Sequence, residues 1–110
     1  MGYYAVTRDA GPGWTDGTGA FEQPGASDHA IFMNGLAEEG FLLLAGPLAG
    51  SEAGRIRVLL VASAESQAEI HDRLAVDPWV KSQRLVTASV ESWIPIVGTE
   101  RLATPWTRAT

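Results

Sequence analysis

Two histidines and no cysteine are all that this 110-residue sequence offers for imidazole or thiolate chemistry. His29 follows Ser27-Asp28 and opens an apolar pattern that continues through Phe32, Met33 and Leu36. Steps of three and four residues put these side chains on one face of a helix. Histidine is the residue whose ordinary titration falls near neutral pH. At a helix start, close to the core yet reachable from solvent, it is suited to taking or giving a proton. The plainer reading is that it bonds a backbone group there. His71 lies mid-helix beside Glu69 and Asp72 and reads as a surface residue. Asp77 precedes Pro78, where a carboxylate either satisfies the amides of a turn or serves a nearby site. The lack of cysteine excludes disulfides, a thiolate nucleophile, zinc-thiolate sites and iron–sulfur clusters. Two distant histidines without an H-E-x-x-H spacing give no metal pattern, so neither metal nor organic cofactor is expected.

Six elements have to position these residues. Residues 3–7 are aromatic and β-branched and suit a strand. The stretch 9–26, rich in Gly, Pro, Asp and Thr, cannot sustain a helix and reads as a long loop, either a lid over His29 or disordered. Ser27 is the expected cap of the first helix, Asp28 sits in its first turn, and Gly40 stops it. Residues 41–45 read as a strand broken by Gly46-Pro47, and 55–62 as its antiparallel hairpin partner. Ser63 is the expected cap of a second helix, which Asp77-Pro78 ends. A last strand spans 84–96.

The order β–α–β–β–α–β is the ferredoxin-like plan, an α+β fold with both helices on one face of a four-stranded antiparallel sheet. The other face is left bare, and a symmetric homodimer would cover it. Residues 1–97 make up this domain. Residues 98–110 read as an arm, with Trp106 available to pack on a partner.

Composition narrows the partners. The formal charge of -5 and pI near 4.8 come without a Lys/Arg cluster, which argues against nucleic acid. The apolar runs at 41–45 and 58–62 fall far short of the roughly 18 residues of a bilayer span. The first residues lack a basic region followed by an apolar stretch and a cleavage site, so a cytoplasmic location is expected. Glycines 11, 13, 17 and 19 include a G-x-G spacing, but no strand–turn–helix phosphate pattern accompanies it.

The segments Ser27-Asp28-His29, Gly40-Phe41-Leu42-Leu43-Leu44-Ala45-Gly46-Pro47-Leu48, Ser63-Ala64-Glu65-Ser66-Gln67-Ala68, Val76-Asp77-Pro78-Trp79-Val80 and Val90-Glu91-Ser92-Trp93 together resemble the YciI-like (YCII-related) family. The resemblance spans most of residues 3–97. It implies a ferredoxin-like protomer, a dimeric α+β barrel, and a site where a histidine and an aspartate meet in a pocket. By motif these are His29 and Asp77. A carboxylate bonded to one ring nitrogen fixes the imidazole's tautomer and leaves the other nitrogen for proton transfer. The expected function is therefore an enzyme of lyase, isomerase or dehydratase type acting on a small carbonyl or phenolic compound. A non-catalytic ligand-binding or dimerisation module and a cofactor-free monooxygenase are the alternatives. Trp14, Phe21, Phe32, Gly46, Pro47 and Trp79 are the expected walls of the pocket. Two features depart from the family pattern: the loop 9–26 is long, and Asp28 stands beside His29 as a rival carboxylate.

Overall fold

Strand patterning carries further along the chain than residue 7. In the computed structural model, which describes residues 2–51 and 55–103, strand β1 runs Gly2–Ala10. It is followed by helix α1 (Ala26–Glu38), strands β2 (Leu42–Pro47) and β3 (Arg57–Ala64), helices α2 (Gln67–Leu74) and α3 (Pro78–Lys81), strand β4 (Leu85–Trp93) and the short helix α4 (Glu100–Ala103). The strands form one antiparallel sheet in the order β2-β3-β1-β4, the ferredoxin-like arrangement expected from the sequence. Trp106 lies outside the described residues.

Alternation decides which side chains meet the helices. Val6 lies opposite Leu60 on β3 and Val90 on β4, so Tyr4, Val6 and Arg8 share the covered face. Val6, Leu36, Phe41, Leu60, Ile70 and Leu74 form the main core. A second cluster of Trp14, Trp79 and Leu85 closes the other end of the sheet. The β1/β4 register slips between Thr7 and Arg8, leaving Ala88 as the extra residue on β4. Such a bulge re-aims the side chains beside it.

Several expected boundaries move, each for a physical reason. Gly25, in the left-handed region at φ 79°, takes the N-cap position of α1 in place of Ser27, and Gly40 follows the helix end at φ 86°. β3 continues to Ala64, so Ser63 belongs to the strand, and Ser66 caps α2 by accepting a hydrogen bond from the Glu69 N–H. Gly46-Pro47 does not break β2, because β2 is an edge strand where a missing N–H is tolerated. α2 ends at Leu74, and Asp77-Pro78 opens a new helix with the carboxylate as N-cap and proline at its first position. β4 stops at Trp93, short of residue 96.

The connection from β1 to α1 is packed rather than structureless. Gly11 N–H donates to the Arg84 carbonyl and Gly13 N–H to that of Gln83, 2.8 Å each, tying it to the turn between α3 and β4. A single 3-10 turn forms at Ala20–Glu22. The buried Gln23 amide accepts from Thr15 N–H and donates to Thr15 O and the Thr18 hydroxyl at 2.7–2.9 Å. Among the described residues, no helix is long and apolar enough to cross a membrane.

Candidate active site

Three elements converge on one buried carboxylate. Asp77 is wholly buried at the N-cap of α3, where its Oδ1 accepts from Trp79 N–H at 2.9 Å. The first turn of α1 brings His29 Nδ1 to 2.9 and 3.0 Å from the two carboxylate oxygens. β1 brings Arg8 Nη2 to 2.7 Å from Oδ2, with the arginine only 1% exposed. Burial pushes the Asp77 carboxyl up. The hydrogen bonds from His29, Arg8 and Trp79 and the charge of Arg8 outweigh it and hold the group below its ordinary range. An ionised carboxylate can only accept, so His29 Nδ1 carries the proton, and in the neutral ring the Nε2 lone pair is left available.

Trp79 fixes the imidazole from a second direction. Its ring stacks on His29 at 4.0 Å between centroids and 12° between planes. Its Nε1–H donates to the Pro24 carbonyl at 2.8 Å, joining the stacked pair to the β1–α1 connection. Trp14 meets Trp79 edge-on at 5.6 Å.

His29 and Trp79 line a cavity of about 330 Å³. Arg8 lines it too, and the remaining wall is mainly aliphatic: Ala30 and Met33 from α1, Ala45 from β2, Val58 from β3 and Leu85 from β4. That volume lies at the low end of ligand pockets and suits a single-ring molecule. Of the expected wall residues, Phe21, Gly46, Pro47 and Trp79 line this cavity, with Phe21 94% exposed on the 3-10 turn. Trp14 instead backs Trp79 and lines an adjoining space of about 290 Å³ with Pro47 and Leu48. Phe32 faces the main core and a groove between α1 and α2, one helical step away from His29. Asp28 is exposed and has no hydrogen bond to His29, and His71 is exposed on α2.

Sequence reasoning missed Arg8. Ending the first strand at residue 7 removed it from consideration. Continuing the alternation from Tyr4 and Val6 would have placed a cation on the core face, where an unpaired charge is untenable. Among the described residues, no three His, Cys, Asp or Glu side chains gather as a metal-ligand set.

No family model matches this sequence, and no curated protein sequence matches it. Its structure is similar to that of 5-chloro-2-hydroxyhydroquinone dehydrochlorinase (TftG) from Burkholderia phenoliruptrix AC1100, solved in complex with 2,5-dihydroxybenzoquinone. The TM-score is 0.59 at 18% identity, over 89% of this chain and 97% of that one. The two chains share a fold. The superposition covers almost the whole of the dehydrochlorinase, so the common architecture is the complete ferredoxin-like unit.

Proposed function

We propose that this chain is a cofactor-independent lyase or isomerase of the YciI-like family, acting on a small carbonyl or phenolic compound. His29 is its acid–base residue and Asp77 the orienter of His29. The observation that carries this reading is an imidazole tied through Nδ1 to a buried carboxylate while lining an apolar cavity. In an elimination, His29 Nε2 takes a proton from carbon beside a carbonyl or ring hydroxyl. The C–H electron pair forms the new double bond, the leaving group departs with its own pair, and the imidazolium returns its proton to water. Asp77 opposite the imidazolium stabilises the charge that develops. The dehydrochlorinase of similar fold, with its quinone ligand, supports the choice of reaction and compound class.

Phe21 and the 11–25 connection serve as the cover of the cavity. The protein acts in the cytoplasm as a homodimer closed over the open sheet face.

The test is a set of halogenated or hydroxylated phenols and β-substituted carbonyl compounds assayed for elimination or isomerisation. His29→Ala is expected to lower kcat by about 10²–10⁴-fold on the compound that turns over. Unchanged kcat in that variant would end the acid–base assignment. Compounds that bind and are never altered would make the protein a ligand-binding module instead.

A further inference from the structure

Arg8 has more hydrogen-bonding capacity than Asp77 uses. An arginine carries five N–H donors. Here Nη2 meets the Asp77 carboxylate, Nη1 has only the Met33 sulfur at 3.7 Å, and the buried Nε has no hydrogen-bond partner among the described residues. A thioether is a weak acceptor, and a buried donor without a partner is costly because its water is lost and nothing replaces it. Balancing the charge of Asp77 explains one of these contacts and leaves the other donors unexplained. Arg8 also lines the same cavity as His29, and the two bind the same carboxylate, Arg8 at Oδ2 and His29 across both oxygens. Among the residues lining that cavity it is the one with a permanent charge.

We infer that the cavity selects a small molecule bearing an anionic oxygen on an sp2 carbon, a carboxylate, phenolate or enolate, and that Arg8 is the residue that selects it. This rests on the reading of the cavity as the ligand site. Charge-assisted hydrogen bonds strengthen in apolar surroundings, and aliphatic walls supply those surroundings. An oxygen held by Arg8 lies in the same cavity that His29 lines. Arg8 then also stabilises the further negative charge that develops on that oxygen when His29 removes a proton.

Benzoate, 4-nitrophenolate and the neutral benzamide are the probes, titrated by calorimetry at a pH where the nitrophenol is ionised, with the Arg8 Nε resonance followed by NMR. At least one anion should bind about tenfold or more tighter than benzamide and move the Arg8 Nε signal. The preference should fall to about one in Arg8→Met. Should that variant not fold, Arg8→Met combined with Asp77→Asn removes both charges together and is read the same way. Equal binding of all three probes, no binding of any, or a preference that survives loss of Arg8 overturns the inference. His29→Ala separates the two claims: if it keeps the anion preference while no compound is turned over by the native protein, the enzyme reading fails and the anion site stands.

Discussion

Asp77 accepts hydrogen bonds from groups on three elements, Arg8 on β1, His29 on α1 and its own helix at Trp79, and is itself fully buried. Replacing it with asparagine leaves the Arg8 charge uncompensated in the interior, which typically costs about 3–5 kcal/mol. The acid behaviour has a definite sign. The folded-state carboxyl titrates below its ordinary range, so its contribution is fully present above the unfolded-state value of about 4 and is lost as pH falls toward the folded-state value. Urea midpoints of native protein and Asp77→Asn should therefore lie far apart at neutral pH and converge on acidification. A gap that stays constant down to strongly acid pH would mean that the carboxylate contributes no differential stability. His29 and Asp77 were each identifiable in the sequence, because residue type and position at a helix start or before proline are local signals. Arg8 was hidden by a strand ended too early, and the Trp79–His29 stack by the absence of any pattern linking residues fifty positions apart.

The β1–α1 connection shows what glycine spacing meant in this chain. The Gly11-Pro12-Gly13 run was unassigned by motif, yet it lies flat against the turn between α3 and β4. A Cβ at Gly11 would stand 2.3 Å from the Gln83 carbonyl oxygen, and one at Gly13 2.4 Å from that of Ser82. Backbone cannot yield there as a side-chain tip can, so Gly11→Ala should destabilise by roughly 1–3 kcal/mol or more. Gly35 within α1 is the control. Open space surrounds its Cβ position, so Gly35→Ala should raise stability by about 1 kcal/mol. Opposite shifts in Tm test the pair, and a neutral Gly11→Ala would show that the connection is not held against this turn. Element identity and order were legible because period-two and period-three-to-four patterns are local. Edges shifted where tertiary pairing extended a pattern, as at Ser63 in β3 and Pro47 on the sheet edge. The four-residue helix α3 carries too few residues for periodicity to reveal, and only its Asp-Pro start gave a signal.

On the scale of the whole molecule, both helix layers lie on one side of the sheet, and the other side presents Leu44, Leu59, Val86 and Trp93, each 38–59% exposed. Beyond β4, Ile94, Ile96 and Val97 are also exposed, to 79–93%. A patch of this kind, drawn from β2, β3 and β4, has the character of an interface rather than of scattered surface residues. A second copy presenting the same face would satisfy it by two-fold symmetry, since the same patch then serves on both protomers and no new partner chemistry is required. Leu59 lies on the inner strand β3, inside this patch, so a charge there is buried if the dimer forms and solvated if it does not. Sedimentation of the native chain at micromolar concentration should give the mass of two protomers, and Leu59→Arg should give one, with the circular dichroism of the folded protomer retained. A native chain that sediments as a single protomer would remove the homodimer. A Leu59→Arg protein that stays dimeric would move the interface off this face, while the cavity, built from elements of one protomer, would keep its ligand preference in either case.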